Sequence, residues 1–357
     1  MVDPGSCALA ARSVARMSTS PEILDGIDAA VGRTPLVRLS RLFPDSGVEI
    51  LAKLESVNPG GSTKDRPALA MVREAIASGR LREGGTVVES SSGNLGVALA
   101  RVCCTRGIRF VCVVDSRTNR STMAAIRALG GEIDLVAEPD PLTGDLLTAR
   151  LARVTALLED IPGAVNLYQY GNPANPGAHR EGTMREIAEA TDHRLDVMLA
   201  AVSTTGTIAG CSAYVREHAM ATRMIAVDAV GSVLFGGAGA ARPLPGIGAG
   251  VVTETSRTVV PDEVHRIGAV DAVAGARLLA QREGILAGAS TGAIVRAMAS
   301  LLPRLEAGAR IAFIVHDGGA PYLDTIYDDD WVRRVIGADT STLAAAQDSL
   351  ISASLRG

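Results

Sequence analysis

The chain has 357 residues, 47% hydrophobic and 21% charged, a composition that describes a folded soluble protein with a large core and excludes a disordered or fibrous one. A formal net charge of −4 gives no electrostatic reason to expect nucleic acid, and no run is long and apolar enough to cross a membrane. Five cysteines without paired spacing fit a reduced, cytoplasmic protein, and five histidines without HExxH-type spacing argue against a metal site.

Residues 1–22 are small, polar and dotted with arginine. They lack an apolar h-region, so they read as a flexible N-terminal tail rather than a signal peptide. From residue 49 the chain alternates strand-like and helix-like runs. "EILAKLE" reads as a strand and "RPALAMVREAIASG" as a helix, then "TVVESSS" and "NLGVALARVCCTRG" repeat the pair. "RFVCVVD", "STMAAIRALGG", "EIDLVAE" and "LLTARLARVTALLEDI" continue it. The alternation resumes with "AVNLYQ", "REGTMREIAEAT", "VMLAAVSTT", "IAGCSAYVREHA" and "MIAVDAVG". It closes with two helical runs, "AVAGARLLAQREG" and "GAIVRAMASLLPRLEAG", and the strand "RIAFIVHD". Cys103 and Cys104 read as small buried apolar residues. Residues 336–357 read as a peripheral tail. Such alternation predicts an α/β fold of doubly wound parallel sheets, with too many strands for one open sheet. Two α/β domains with a cleft between them are expected, the ligand lying at the C-terminal ends of the strands.

Four polar or glycine-rich turns fall at those ends. "NPGGSTKD" carries Lys64. Of the 35 Lys+Arg, only Lys53 and Lys64 are lysines, so a lysine kept against that bias suggests a task for an amine that can lose its proton, such as a Schiff base. Lys53 lies inside a strand, whereas Lys64 lies at a strand-to-helix turn. In "VSTTGTIAG", Ser203, Thr204, Thr205, Gly206 and Thr207 open a helix and suit a phosphate, although Ser and Thr also cap helices. "SSSGNLG" offers Ser91, Ser92, Gly93 and Asn94, either to a carboxylate and a ring oxygen or as a cap. "GASTGA" places Ser290 before a long helix, where a cap is the plain reading. "PGIGAG" is not a full dinucleotide fingerprint, and no GK[ST] is present. A phosphate cup and a Schiff-base lysine in one α/β chain suggest pyridoxal 5′-phosphate.

Over residues 23–331 the sequence resembles the cysteine synthase and cystathionine β-synthase family of pyridoxal-phosphate enzymes. The likeness rests on "GRTPLVRL", "KLESVNPGGSTKDRPA", "ESSSGNLGVALA", "YQYGNPANPGAHREGT", "VSTTGTIAG" and "EGILAGASTGA". It implies fold-type II, similar to tryptophan synthase β, with the active site in the cleft between two doubly wound domains. The implied division is residues 57–165 for the N-terminal domain with its mobile subdomain, and 23–56 with 166–335 for the C-terminal domain. It also implies Lys64 as the cofactor-bonding lysine, Asn94 as partner of the ring oxygen and Ser203 to Thr207 as the phosphate loop. Ser290 would face the pyridine nitrogen. Ser91, Ser92 and Gly93 would grip the substrate α-carboxylate, with Gln169 as its partner across the cleft. The reaction implied is β-replacement on a serine derivative. Two departures stand out: Leu95 replaces the family's usual threonine, and "STTGT" replaces its glycine-rich phosphate loop. No haem-binding extension or C-terminal regulatory tandem is expected, against a cystathionine β-synthase.

A narrower branch is similar through "ESSSGNLG", "AEPDPLTGDLLTARLARV", "AVDAVGSVLFG", "RPLPGIGAG" and "YLDTIYDDDWV". It is the branch of the N-(2-amino-2-carboxyethyl)-L-glutamate synthases, which serve siderophore and peptide-antibiotic pathways needing 2,3-diaminopropionate. The resemblance implies O-phospho-L-serine and L-glutamate as substrates, a homodimer, and an NAD-dependent dehydrogenase as pathway partner. A phosphate leaving group calls for a cation; Arg150 is the candidate, against a solvated helix arginine, and Arg242 is a candidate for the glutamate carboxylates. A cysteine synthase using sulfide would share every cofactor residue.

Overall fold

A computed structural model describes residues 23–355 apart from Thr143 and Asp145; the predicted tail at 1–22 lies outside the described residues. The elements run β1 (Leu36–Leu39), β2 (Glu49–Leu54), α1 (Asp65–Ala77), β3 (Thr86–Ser90), α2 (Asn94–Thr105), β4 (Arg109–Asp115), α3 (Arg120–Ala128), β5 (Glu132–Val136) and α4 (Leu146–Asp160). Then come α5 (Ala174–Ala178), a π-helical turn (His179–Met184), α6 (Arg185–Ala190), β6 (Val197–Ala201), α7 (Gly206–Glu217), β7 (Arg223–Ala229) and β8 (Glu263–Ile267). The chain closes with α8 (Ala269–Glu283), α9 (Ala289–Leu301), β9 (Arg310–Val315), α10 (Asp329–Trp331) and α11 (Thr340–Ala353).

Two sheets result. The larger has the order β1-β2-β9-β6-β7-β8, parallel except for the β1–β2 pair; the smaller is β3-β4-β5, all parallel. The strands of the larger sheet read as continuous apolar runs because helices cover both faces. In β2, β6, β7 and β9 the residues Ile50, Leu199, Ile225 and Phe313 face α8 and α9. Their neighbours Leu51, Met198, Met224 and Ala312 face the other side, with α6 and α7. The smaller sheet is treated likewise: Phe110, Cys112 and Val114 pack with α1 and α2, and Val111 and Val113 with α4. Leu95, the departure from the family pattern, is buried in the first of these clusters. Helices α8 and α9 approach through Gly275 and Gly292, whose Cβ positions would strike each other's helix backbone.

Three local expectations need correction. "AVNLYQ" is not a strand: a single bridge pairs Val165 with Val87, and Tyr168 then takes a left-handed φ of 52° that ends the extended run. Cys104 is exposed, while Cys103 is buried against the small sheet; consecutive helical residues cannot share one face. Residues 340–353 form α11, with Leu343 and Leu350 buried in the core of α8 and α9.

Candidate active site

The turn before α1 is shaped around a carboxylate. Asp65, 0% exposed, accepts from the Gly60 backbone N–H (2.8 Å) and from Arg101 Nε (3.1 Å). A Cβ on Gly60 would collide with that carboxylate, and Gly61 takes φ +79°, so both glycines of "NPGG" are required. Lys64 follows at the N-cap of α1. Its amine has no hydrogen-bond partner among the described residues, and burial pushes its pKa down while Asp317 opposes that shift.

Lys53 is a different case. Its Nζ donates to Thr34 O and to Glu186 Oε2, both at 2.6 Å. Glu186 also takes two bonds from Arg66, at 2.7 Å each, and Arg66 forks onto Glu55 at 2.7 and 2.8 Å. These four charges form a neutral buried network beside Lys64.

The turn expected to hold the phosphate, Ser203 to Thr207, lies where β6 meets α7. The N-cap residue Thr205 makes no side-chain cap bond and holds a left-handed φ of 66°. Its hydroxyl turns back to Thr204 O (2.6 Å) and meets Thr253 Oγ1 (3.3 Å). A β-branched residue held there costs of order 1–3 kcal/mol. The hydroxyl-rich turn is thus not serving as a cap, and the first amides of the 12-residue α7 remain for an anion. Gly206 permits the close approach, because a Cβ there would strike the Asn175 amide. Thr207 Oγ1 meets His179 Nε2 (3.3 Å), and His179 Nδ1 meets Thr183 Oγ1 (2.9 Å). Burial, then the charges of Lys64, Arg66 and His316, hold His179 well below its usual pKa, so it is a neutral buttress. Ser203 is half-buried at the loop's entrance.

Across the cleft, Ser91 Oγ accepts from the Gly96 N–H (2.9 Å), a cap for α2, while Ser92, Gly93 and Asn94 are half-buried. Gln169 Nε2 donates to Ser90 O (3.1 Å), and Gln169 O accepts from Asn175 Nδ2 (2.8 Å). Hydrogen bonds therefore link the β3 turn through Gln169 to Asn175, whose amide packs against Gly206. Ser290, 6% exposed, opens α9, whose N-cap Gly288 provides no side-chain cap.

The sequence reading missed the end of β9. His316 Nε2 accepts from the Ala201 N–H (3.0 Å), and burial, then the Lys64 charge, lowers its pKa to about 3. Asp317 accepts from Asn94 Nδ2 (2.8 Å) and the Tyr322 hydroxyl (2.6 Å). The available signal was "HD" at a strand's C-terminal end.

The two arginine candidates are positioned differently. Arg150 on α4 is 6% exposed rather than solvated, and its Nε lies 3.1 Å from Asp115 Oδ2 at the C-terminal end of β4. That contact is an ion pair without a hydrogen bond, since the buried Nε has no hydrogen-bond partner among the described residues. Arg242 donates from Nη1 to Gly231 O (3.2 Å), and its side chain runs beneath Gly248 and Gly250. Among the described residues no His/Cys/Asp/Glu group could hold a metal, and no helix is long and apolar enough to cross a membrane.

A lysine amine without a hydrogen-bond partner among the described residues, a helix N-terminus without a side-chain cap lined by Thr204 to Thr207, and an amide and a hydroxyl at opposite helix starts fit pyridoxal phosphate. Comparison with known proteins agrees. The family described as "Pyridoxal-phosphate dependent enzyme" matches residues 27–317. The chain is 42% identical over 329 residues to N-(2-amino-2-carboxyethyl)-L-glutamate synthase of Ralstonia nicotianae, covering 92% of this chain and 97% of that one. Among solved structures it is similar to the O-acetylserine dependent cystathionine beta-synthase of Helicobacter pylori. That match has a TM-score of 0.80 at 29% identity, over 86% of this chain and 100% of that one. It is also similar to an O-ureido-L-serine synthase, with a TM-score of 0.79 at 33% identity, over 91% of this chain and 100% of that one.

Proposed function

Because the chain belongs to the pyridoxal-phosphate dependent enzyme family, we propose that it catalyses β-replacement on O-phospho-L-serine with L-glutamate as the amine nucleophile, giving N-(2-amino-2-carboxyethyl)-L-glutamate and phosphate. The observation that carries this reading is the 42% identity, across nearly the whole of both chains, with a protein named as that synthase. The product serves as a precursor of 2,3-diaminopropionate in siderophore or peptide-antibiotic biosynthesis. The enzyme is read as a homodimer, acting ahead of an NAD-dependent dehydrogenase.

When bound, pyridoxal phosphate is an electron sink for the α-carbon of an amino acid. The chain's own residues do the rest. Ser203 to Thr207 hold the phosphate with the α7 amides, Asn94 faces the ring oxygen and Ser290 the ring nitrogen. A hydroxyl at Ser290, in place of a carboxylate, leaves that nitrogen without a strong proton donor, which suits β-elimination. Ser91, Ser92 and Gly93 with Gln169 hold the substrate α-carboxylate. Lys64 removes the α-proton, aided by burial that favours its neutral amine.

Arg150 is read as the phosphate anchor of the substrate. Asp115 pairs by charge with its Nε side, and the terminal fork is the part read as taking the phosphate oxygens. Arg242 is read as the partner of a glutamate carboxylate. The test follows the visible spectrum as O-phospho-L-serine and then L-glutamate are added. A spectral change on the first addition that is reversed by the second is the expected result. No response to phosphoserine, with a response to O-acetylserine reversed by sulfide, would make this a cysteine synthase. Arg150→Ala should reduce phosphoserine use far more than O-acetylserine use; equal losses would remove its assignment.

A further inference from the structure

Lys64, Asn94 and Ser290 reach the cleft on three separate segments, and one carboxylate joins those segments. Asp317 is 5% exposed and follows β9. Its Oδ2 accepts from Asn94 Nδ2 at 2.8 Å and from the Tyr322 hydroxyl at 2.6 Å. Its Oδ1 accepts at 3.2 Å from the N–H of Gly288, the N-cap of α9 two residues before Ser290. A backbone bridge pairs it with Ser62, two residues before Lys64. The charged and titratable groups that face it are Lys64 from the turn before α1 and Tyr322 and Tyr327 from the segment after β9, with His316 beside it in sequence. The Asn94–Asp317 bond also crosses from the small-sheet unit to the large sheet.

We propose that Asp317 is a positioning residue for the cofactor, which fixes the amide of Asn94 and sets the charge beside Lys64. This rests on the reading of Asn94 as a ring-oxygen contact. An asparagine amide has two N–H donors and one acceptor oxygen. Flipping it would bring that oxygen against a buried carboxylate, acceptor against acceptor, with a carboxylate oxygen left short of a donor. Asp317 thereby settles which way Asn94 faces and leaves its second N–H as the donor available to an anionic ring oxygen. The same carboxylate favours the protonated form of the Lys64 nitrogen, because an opposite charge in a buried site stabilises the cation. Tyr322 holds the carboxylate in place by donating to the oxygen that Asn94 uses.

The purified full chain and its variants Asp317→Asn, Asn94→Ala and the double variant are dialysed to equilibrium against pyridoxal phosphate, and the visible absorbance of each is titrated with pH. Each single variant should bind the cofactor about tenfold more weakly, the loss of one hydrogen bond to a charged group. The double variant should lose little more than the larger single loss, because Asp317 acts through Asn94. The pH midpoint of the visible band should fall in Asp317→Asn, which removes the charge, and rise in Asn94→Ala, which removes one donor from the carboxylate and leaves its charge. Wild-type affinity in Asp317→Asn beside a weakened Asn94→Ala, fully additive losses, or an unmoved midpoint would each overturn the inference. Wild-type affinity in Asn94→Ala would instead remove the ring-oxygen reading, and the inference with it. Should Asp317→Asn not fold by circular dichroism, Tyr322→Phe decides. That change removes one donor from the carboxylate and leaves its charge, so the midpoint should rise; an unmoved midpoint overturns the proposal.

Discussion

Replacing Glu186 with glutamine should destabilise the protein by about 3 kcal/mol at pH 7. Glu186 is the shared partner of Lys53 and Arg66, with side-chain exposures of 15%, 2% and 5% respectively. Burial raises its pKa, but the hydrogen bonds and charge of Arg66, and then those of Lys53, outweigh this and bring it from 4.5 to about 2. At about 1.4 kcal/mol per unit, that depression corresponds to roughly 3 kcal/mol. Breaking a buried ion pair by removing one partner costs about 3–5 kcal/mol, so two routes agree in magnitude. Because the folded-state value lies below the unfolded one, the stabilisation is complete above about pH 4.5 and is lost as the pH falls through about 2. Urea unfolding of parent and Glu186→Gln, followed by circular dichroism at saturating cofactor, measures the gap at pH 7 and again at about pH 3.5, where it should have narrowed. A gap under about 1 kcal/mol at pH 7, or one that does not narrow in acid, would refute the reasoning.

Lys64→Ala should abolish both the visible colour of the purified enzyme and turnover; a variant that still turns over would remove Lys64 from its role. Gly206→Ala should weaken cofactor binding at least about tenfold in equilibrium dialysis, because the new Cβ displaces Asn175 and the loop above it. Unchanged affinity would mean that the close approach at Gly206 is not used. Leu350→Ala on α11 should lower stability by about 2–5 kcal/mol in urea, since Leu350 is 0% exposed; a loss below about 0.5 kcal/mol would show that α11 does not complete the core.

Helices and strands with strong periods were legible in the sequence. The runs that became α1, α2, β4, β6, β7 and β9 were read within a few residues, because burial on both faces leaves continuous apolar runs and helix faces repeat at 3.6 residues. The elements that escaped were those whose fate is set by partners distant in sequence. β1 is four residues long, exists by pairing antiparallel to β2 and carries the half-buried pattern of an edge. β8 is only half-buried along its length. "AVNLYQ" had a strand's composition, yet pairing stops after Val165 because Tyr168 turns into the left-handed region. Lys64 and the hydroxyl turns were legible as candidates because they stand at the starts of helices. Asp317 was not, since an aspartate at a strand end looks solvated until Asn94, Tyr322 and Gly288 are seen to converge on it.

The chain's two lysines show why residue identity alone could not separate structural from chemical roles. Lys53 is buried and Lys64 half-buried, and desolvation lowers the pKa of both amines. What differs is the company each keeps. Lys53 donates to a carboxylate that Arg66 also engages, in a network of two cations and two anions. An ammonium so paired is held charged, and a charged amine is not a nucleophile. Lys64 has no hydrogen-bond partner among the described residues, and the imidazoles near it are kept neutral, His316 down to about pH 3. Its counter-charge, Asp317, is already engaged by Asn94, Tyr322 and Gly288. A carboxylate with three donors on it stabilises a neighbouring cation less than a free one would, because those donors already offset part of its charge. The Lys64 amine is therefore the one that can shed its proton and bond to a carbonyl. An arginine could replace Lys53 in its electrostatic role; the role proposed for Lys64 needs an amine that can lose its proton, which arginine does not supply.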